Sequence, residues 1–395
     1  MGHGIDRREF LALAALLGVG GVATACGFGD DDGTGASPIG AGSRVVIVGA
    51  GAAGMTAGHL LVQAGVDITI LEAAPTYGGR IKHTRDFVDF PIPLGGEWLH
   101  ATEDTLVDIV SDDSVSIDTR MHASDPTDLV DWIVDGERFT APIGNEADLT
   151  FVGSSWLDFF ETYVLPSVAD HITYDTQIVR VDHADDGVAL TSARGDTFEG
   201  HAAIVTVPMK ILQDGDITFD PPLPSEHQDA LARANIWTGM KVFVEFSERF
   251  YPTYLGFDTD EGLDGQRLYY DAAYGQESAA NVLGLFTVGV LSEPYQALDP
   301  GHELRDHVLA ELDAIYDGKA SRTYVQHTSQ NWANEPFVRA AYLQDEAPPS
   351  ISRTLGHPVG ARVHLAGCSY TRFNDWSSVH TAARSARDTV NRLLG

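Results

Sequence analysis

The stretch RVVIVGAGAAG, residues 44–54, decides the fold of this chain. Its first five residues form a short, mostly β-branched run that predicts a buried parallel strand, and its glycines have GxGxxG spacing. A predicted helix over 55–63, a predicted strand over 67–71 and the acidic residue Glu72 follow in that order. GxGxxG alone is a weak signal in a chain with 40 glycines, but this order of elements indicates a dinucleotide-binding βαβ unit.

Each of the three glycines of the GxGxxG turn is needed for a different physical reason. Gly49 permits the tight turn, Gly51 lets backbone N–H groups approach a pyrophosphate, and Gly54 permits close packing of the helix. The helix N-terminus favours the anion, and Glu72 can accept hydrogen bonds from a ribose diol. A plain βαβ unit without a ligand is the alternative.

The segment after Glu72 distinguishes a flavin from a nicotinamide cofactor. It reads YGGRI over 77–81, and with it the chain resembles the flavin-dependent amine oxidase family, whose FAD domain continues with a GGR segment. The resemblance implies that Gly79 and Arg80 lie along the FAD diphosphate and the isoalloxazine edge. A surface ion pair is the alternative for Arg80.

The resemblance extends in separate blocks over residues 44–394 and implies an α/β fold class. A Rossmann-type FAD-binding domain is expected to be interleaved with an α+β substrate domain, as in the amine oxidase fold. The FAD-binding pieces are predicted at 43–100, 168–215 and 355–395. The substrate-binding pieces are predicted at 101–167 and 216–354.

The block PLGGEWLH, residues 93–100, resembles the glycine-rich turn under the flavin, especially that of polyamine oxidases. In those enzymes a His or Glu two residues after the Trp lines the amine site, and here that residue is His100. A loop histidine with satisfied hydrogen bonds is the alternative. Further along, a hairpin is predicted around DDG at 185–187, and the resemblance places Ile178 of its first strand near the adenine end.

Lys241 lies in a predicted strand, GMKVFVEF, residues 239–246. A lysine in such a run is commonly a solvated residue, but this chain contains only 4 lysines against 21 arginines. The segment resembles the family strand whose lysine holds a water near flavin N5, so the resemblance implies that Lys241 assists reoxidation of the flavin by O₂. Apolar neighbours should lower the pKa of this amine by desolvation.

The block from Asn331 to Tyr342 resembles the family's N-W-x(9)-Y stretch, which places Tyr342 as an aromatic wall over the substrate face of the flavin. In monoamine oxidases the residue before that tyrosine is the cysteine bonded to FAD, and here it is Ala341. FAD is therefore expected to be non-covalent. Ordinary core packing is the alternative for Trp332 and Tyr342.

The last block, VHLAGC at 363–368 with WSSVH at 376–380, resembles the closing FAD segment of the family. Two positions depart from the family pattern: Cys368 stands where a Glu is usual, and Thr381-Ala382 replace Gly-Ala. Trp376 is the candidate for a second aromatic wall, although its spacing is one residue longer than usual.

The resemblance thus implies two sets of site residues. The cofactor-binding set is Gly49, Gly51, Ala53, Gly54, Glu72, Gly79, Arg80, Gly95, Gly96, Glu97, Trp98, Ile178, Trp332, Gly367, Cys368, Ser378 and Val379. The catalytic set is Lys241, His100, Tyr342 and Trp376.

The composition excludes several classes of function. The chain has 395 residues and a formal net charge of −32, whereas a nucleic-acid partner requires a basic face. A hydrophobic fraction of 44% argues against disorder, and the length suggests two or three domain-sized units. The two cysteines, Cys26 and Cys368, cannot form a disulfide scaffold or a four-cysteine zinc site, and no metal is expected.

Residues 1–25 predict an export signal. A twin-arginine pattern, DRREFL at 6–11, precedes an apolar run that is too short for a transmembrane helix. The run ends at Cys26 in a context that resembles a lipoprotein cleavage site, and ordinary cleavage nearby is the alternative. Residues 26–42 predict a flexible acidic linker. We therefore expect an extracytoplasmic protein that contacts a membrane only through a lipid on Cys26.

The implied reaction is oxidation of a small-molecule amine, with O₂ reduced to H₂O₂. A polyamine is favoured because of the W-x-H turn and the acidic chain. Primary monoamines and L-amino acids remain alternatives, although no arginine stands out as a clamp for an amino-acid carboxylate. A related FAD desaturase or protoporphyrinogen-type oxidase, and a flavin-binding protein without catalysis, also remain.

Overall fold

A computed structural model describes residues 38–123, 125–144, 148–260, 262–345, 347–373 and 375–395. The predicted export signal, Cys26 and most of the predicted linker lie outside the described residues. Within these ranges no helix has the length and apolar character that crossing a bilayer requires.

The strands of the described residues are numbered β1 to β22. In chain order they span Arg44–Val48, Asp67–Leu71, His83–Thr84, Ile92–Pro93, Met121–His122, Leu129–Val134, Glu137–Pro142, Thr150–Phe151, Ile172–Thr173, Ile178–Ala184, Gly187–Ser192, Thr197–Gly200, Ala202–Val205, Thr218–Asp220, Ile236–Trp237, Gly239–Phe246, Tyr254–Phe257, Gly265–Asp271, Asn281–Gly289, Tyr324–Asn331, Tyr342–Leu343 and Val363–Leu365.

The α-helices of the same residues are numbered α1 to α11. They span Ala52–Gln63, Asp104–Val110, Trp156–Tyr163, Leu165–Val168, Met209–Gln213, Ser225–Arg233, Glu293–Gln296, His302–Ile315, Lys319–Thr323, Pro349–Leu355 and Val379–Leu394. Short 3₁₀ turns occupy Ala169–His171, Asp258–Asp260, Val290–Ser292 and Trp332–Asn334.

A five-stranded parallel sheet in the order β22-β13-β1-β2-β9 forms the layer that the GxGxxG segment predicted. Its central strands are almost wholly buried because both faces are covered. Helices α1 and α11 pack together on one face. The predicted hairpin β10–β11 and helix α10 cover the other face. The sheet therefore exposes its carboxyl edge, where parallel sheets bind ligands.

A seven-stranded mixed sheet in the order β20-β16-β19-β18-β17-β6-β7 forms the second layer. One side of β16 packs on helix α8, through Val242 and Val244 against Leu304 and Val308. The opposite side contributes Phe243 to a separate core that lies over β4. With both faces covered, β16 holds Lys241 in a rigid setting between the two sheets.

The segment 101–167 is shared between the two layers. Leu106 of α2 and Trp156 of α3 lie in the same core as Val45 of β1. Strands β6 and β7 instead join the seven-stranded sheet. Part of the segment predicted as substrate-binding therefore packs with the dinucleotide-binding layer.

Candidate active site

A cavity of about 1060 Å³ lies between the carboxyl edge of the five-stranded sheet and the seven-stranded sheet. Val48, Glu72 and Thr206 line it from the first sheet, and Lys241 and Phe286 line it from the second. All the catalytic and cofactor-binding residues predicted from the sequence line this cavity, except Gly54. The structure therefore brings together segments that are more than 300 residues apart in the chain.

Gly54 is set back from the cavity because it is needed for packing. A Cβ on Gly54 would lie 1.9 Å from the Gly49 carbonyl oxygen, so α1 can approach the turn only without a side chain there. Gly49 has a φ of +103°, and a Cβ on it would lie 2.8 Å from Thr206 Oγ1. At Gly51, by contrast, a Cβ would meet no atom closer than 3.9 Å, so this position opens directly onto the cavity.

The first turn of α1 is available to an anion. Its N-cap, Gly51, has no side chain, and no side-chain hydrogen bond caps the helix. Gly51, Ala52 and Ala53 all line the cavity. Backbone N–H groups at an uncapped helix N-terminus bind phosphate well.

Glu72 follows β2 and is 9% exposed. Its carboxylate accepts hydrogen bonds from the backbone N–H of Ala50 at 2.6 Å and of Ala74 at 2.8 Å. Burial raises the pKa of Glu72, and these backbone hydrogen bonds oppose the rise. The carboxylate is held in place at the sheet edge where a ribose diol could bind to it.

Arg80 joins the turn to the closing segment of the chain. Its guanidinium donates to the Ala341 carbonyl oxygen, and its Nη2 lies 3.3 Å from Cys368 Sγ. The backbone of Gly95 packs against it, since a Cβ on Gly95 would lie 1.9 Å from the Arg80 carbonyl oxygen. Arg80 is therefore a cavity residue held by protein contacts, not a surface ion pair.

Lys241 is 3% exposed, which excludes the alternative of a solvated residue. Its Nζ donates to Glu97 Oε2 at 2.5 Å and lies 4.7 Å from the ring centroid of Trp98. Burial lowers the pKa of Lys241, and the Glu97 carboxylate opposes that fall. Glu97 also accepts a hydrogen bond from Tyr270 Oη at 2.5 Å, so Oε2 of this predicted cofactor residue has two protein donors.

His100 lies at an exposed part of the cavity, with 39% of its side chain accessible. Its Nδ1 is 2.6 Å from Asp148 Oδ2, and its ring centroid is 6.3 Å from that of His380. Burial, together with the neighbouring His100, lowers the pKa of His380 to about 3. His100 is thus a partnered residue, as its alternative proposed, and it also lines the cavity.

The aromatic residues occupy different positions around the cavity. Trp332 donates from Nε1 to the Leu94 carbonyl oxygen at 3.0 Å and packs under the glycine-rich turn. Tyr342 packs edge-on against Trp237 with 6.0 Å between ring centroids, and burial raises its pKa well above the usual range. Trp376 donates from Nε1 to the Gln344 carbonyl oxygen at 3.1 Å.

The closing segment places the N-terminus of α11 at the cavity. Ser378 and Thr381 form a reciprocal capping box there, so the Thr that departs from the family pattern caps the helix. Ser378, Val379, Gly367 and Cys368 line the cavity. Cys368 is 8% exposed, and its sulfur contacts Arg80 where the family carries a carboxylate.

Several cavity residues were not predicted from the sequence. Asp148, Tyr254, Leu268 and Phe286 line the cavity without belonging to any quoted block. Strand β19 is buried on both faces, so its sequence lacks the period-two alternation that marks the side facing a site. No sequence signal identified these four residues as cavity residues.

Comparisons with known proteins agree with this geometry. A family model described as flavin containing amine oxidoreductase matches residues 163–394, and an NAD(P)-binding Rossmann-like domain matches residues 47–112. The first match covers more than half of the chain. The chain belongs to the flavin-containing amine oxidase family.

Relatives of this chain include two plant proteins. Lysine-specific histone demethylase 1 homolog 2 of Oryza sativa is 27% identical over 234 residues, covering 56% of this chain and 30% of the relative. Polyamine oxidase 2 of Arabidopsis thaliana is 22% identical over 292 residues, covering 53% of this chain and 59% of the relative. The matched regions thus span less than two thirds of either relative.

A solved putrescine oxidase bound to putrescine superimposes with a TM-score of 0.71 at 16% identity, covering 89% of this chain and 99% of the other. At this identity the match concerns the fold alone. It confirms the predicted class, a Rossmann-type layer interleaved with a second α+β layer in the amine oxidase fold.

The cofactor of this family member is FAD, and the cavity fits it. The uncapped N-terminus of α1 suits a diphosphate, the buried Glu72 suits a ribose, and the open space at Gly51 leaves room between them. Ala341 has no atom that could bond covalently to a flavin.

Proposed function

We propose that this amine oxidase oxidises a carbon–nitrogen bond of a polyamine to an imine and reduces O₂ to H₂O₂. The observation that carries the proposal is the charge of the cavity lining. Eight aspartates and glutamates are among its described lining residues, against the three cations Arg80, Lys82 and Lys241. The two lysines are paired with Glu335 and Glu97. Because Arg80 is bonded to Ala341 and Cys368, the cavity suits a cationic amine better than the carboxylate of an amino acid.

The chain's residues divide into two groups in this proposal. FAD, when bound, accepts the electron pair taken from the amine and transfers it to O₂. Gly49, Gly51 and Ala53 would hold the diphosphate, Glu72 the ribose, and Ile178 the adenine end. The neighbouring turn and the N-terminus of α11 would hold the remaining FAD, through Gly79, Arg80, Gly95, Gly96, Glu97, Trp98, Trp332, Gly367, Cys368, Ser378 and Val379.

On the substrate side, Tyr342 and Trp376 orient the substrate nitrogen and exclude water from it. Lys241 holds a proton close to the reacting atoms. His100 and Asp148 lie at an exposed part of the cavity, so they are placed to bind a distal ammonium group of a long amine. No additional acid–base pair is needed if the substrate nitrogen is neutral when it reacts.

A peroxide assay of the FAD-loaded enzyme tests the proposal. The substrates are spermine, spermidine, putrescine, tyramine and several L-amino acids at matched concentration. Peroxide from the polyamines, with little from the others, is expected. Peroxide mainly from tyramine or from amino acids would overturn the polyamine assignment, and peroxide from none would overturn the oxidase assignment.

The proposal includes export by the twin-arginine route and a lipid on Cys26. It is supported by the sequence of residues 6–26 alone. Mass spectrometry of the mature protein should find a lipid-modified Cys26 at the N-terminus. An unmodified N-terminus beyond Cys26 would contradict the lipid, and an intact residue 1 would contradict export.

A further inference from the structure

The ion pair of Lys241 and Glu97 is buried to an unusual degree. Their side chains are 4% and 9% exposed, and the charges lie between two sheets. Removing two charges from water costs several kcal/mol for each ion unless hydrogen bonds compensate. Tyr270 supplies such a bond, since its hydroxyl donates to Glu97 Oε2 at 2.5 Å, the same distance as Lys241 Nζ.

These three residues connect two cavities. Lys241 and Glu97 line the large cavity of the active site. Glu97 and Tyr270 line a second cavity of about 40 Å³, and Tyr270 does not line the large one. A cavity of that volume has room for at least one water molecule. The hydrogen bonds from Lys241 to Glu97 and from Tyr270 to Glu97 thus cross the wall between the cavities.

The second cavity has groups that can hold water. Asp148, Tyr254, Asp271 and Tyr274 are the titratable residues that line it beside Glu97 and Tyr270. Burial raises the pKa of Asp271 to about 6, and Arg249, 3.1 Å away, opposes the rise. A small polar cavity of this kind is where buried water is expected.

We propose that Tyr270, Glu97 and Lys241 form a proton path that carries protons from the second cavity into the active site. The proposal rests on the proposed function, in which O₂ takes up two electrons from the amine and two protons to give H₂O₂. The Lys241 ammonium gives one N–H proton to the reacting oxygen. The neutral amine then regains a proton that originates at Tyr270 and passes through the Glu97 carboxylate.

The path is balanced at each atom. The O–H bond of Tyr270 breaks and its proton moves to the Glu97 carboxylate, which passes a proton on to Lys241 Nζ, so the carboxylate and the ammonium are both restored. A water molecule of the second cavity gives a proton to Tyr270 Oη and recovers one by exchange with solvent. The transfers must be concerted, because burial raises the pKa of Tyr270 well above its usual range and disfavours a free phenolate.

Tyr270→Phe tests the path because it removes the hydroxyl and leaves the Lys241–Glu97 pair. The matched control is Tyr269→Phe, on the same strand β18 but in the core beyond it, lining neither cavity. The holoenzyme is reduced with dithionite and mixed with O₂ in a stopped-flow instrument. Because no amine is needed, failure of the polyamine assignment does not affect the result.

We expect Tyr270→Phe to slow reoxidation by about tenfold or more, with a larger solvent deuterium effect, while Tyr269→Phe matches the wild type. Wild-type reoxidation by Tyr270→Phe between pH 6 and pH 9 would overturn the proposal. Equal slowing in Tyr269→Phe would also overturn it, since the hydroxyl at Glu97 would then not be the cause.

A second measurement does not depend on turnover. The chain has 4 lysines, so protein labelled with ¹³C at lysine Cε gives few NMR signals. The signal that disappears in Lys241→Met is assigned to Lys241. Glu97→Gln should move the Lys241 titration to lower pH and leave Lys82, Lys210 and Lys319 unchanged. Tyr270→Phe should leave the Lys241 titration near that of the wild type. An unchanged Lys241 titration in Glu97→Gln would show that the pair is not coupled and would overturn the path.

Discussion

Lys241 is the residue on which most of the proposed chemistry depends. It is one of 4 lysines in the chain, and Glu245 is the only other charged residue of its strand. A buried ammonium group is stable only with a partner of opposite charge. For Lys241 that partner is Glu97, which lies 144 residues away in the sequence. The sequence predicted the lysine but could not predict its partner, because nothing local links β16 to the glycine-rich turn.

Lys241→Met should slow reoxidation of the reduced flavin by about tenfold to a hundredfold and change FAD affinity little. The physical reason is that methionine fills the same volume but carries no proton. Stopped-flow reoxidation and a fluorescence titration with FAD measure the two effects. Lys319→Met, at an exposed helix position, is the control. Equal reoxidation rates in the two variants would contradict the role of Lys241.

Ala341 leads to a prediction about how FAD is retained. Its side chain is a methyl group, so acid precipitation of the holoenzyme should release all the flavin into the supernatant. Absorbance of the supernatant and of the washed pellet measures the distribution. Flavin that stays with the pellet would contradict non-covalent binding and would direct attention to Cys368, the cavity thiol.

At the scale of elements, two glycines of the turn between β1 and α1 have different roles: Gly54 is needed for folding, and Gly51 is needed for FAD binding. Gly54→Ala should destabilise the protein by about 1–3 kcal/mol, because its Cβ would overlap the Gly49 carbonyl oxygen. Gly51→Ala should leave the melting temperature of the flavin-free protein almost unchanged and weaken FAD binding, because its methyl group points into open cavity. Calorimetry and FAD titration distinguish them. Equal melting temperatures for both variants would contradict this division.

The elements that the sequence predicted are those with local signals. The β1–α1–β2 unit, the β10–β11 hairpin and strand β16 each combine periodicity with a turn or a glycine signal. In 101–167 only Trp156 and the residues after it showed periodicity. Strands β5 and β8 there have two residues each and exist through pairing with each other, which no local pattern encodes.

The sequence predicted cavity residues only where they belong to a recognisable motif, such as the GxGxxG turn or the PLGGEWLH block. Among the other lining residues, Tyr254, Leu268 and Phe286 come from β17, β18 and β19, whose contribution depends on how the second sheet is placed. That placement is set by long-range packing, such as Phe243 against Tyr270. The sequence therefore predicted the flavin half of the site far better than the substrate half.

For the whole molecule, His364 makes the free energy of unfolding depend on pH. It is 5% exposed, and neither ring nitrogen has a hydrogen-bond partner in the part of the chain that the structure describes. Burial lowers its pKa to about 3, and Arg392 and Arg362 add to the fall. Between pH 6.5 and about pH 3, His364 therefore binds a proton in the unfolded chain but stays neutral in the folded chain. Stability from this residue is present above pH 6.5 and is lost as pH falls towards 3.

His364→Leu should remove a slope of about 1.4 kcal/mol per pH unit from the acid side of the stability curve. Urea unfolding at pH 7, 6, 5 and 4 measures the difference from wild type. His302→Leu, at an exposed position, should keep the wild-type slope. Parallel curves for the wild type and His364→Leu would contradict the assignment.

The net charge of −32 should affect polycationic substrates most. Raising NaCl from 20 mM to 300 mM screens the attraction, so KM for spermine should rise several-fold while KM for a monoamine changes little. Steady-state peroxide assays measure both, and a neutral salt such as KCl should act like NaCl. Equal changes for both substrates would show that the charge does not guide binding.

The strand order of the five-stranded sheet has a consequence for biosynthesis. Strand β1 begins at Arg44, yet its layer is complete only when Val363–Leu365 and the helix Val379–Leu394 join it. A nascent chain cannot close the pocket before the helix Val379–Leu394 has been synthesised, so FAD binding must follow the synthesis of that helix. A molecule that retains flavin must therefore contain the helix Val379–Leu394. Under the proposed export of the folded protein, this strand order would restrict FAD loading before export to chains that already contain the helix Val379–Leu394.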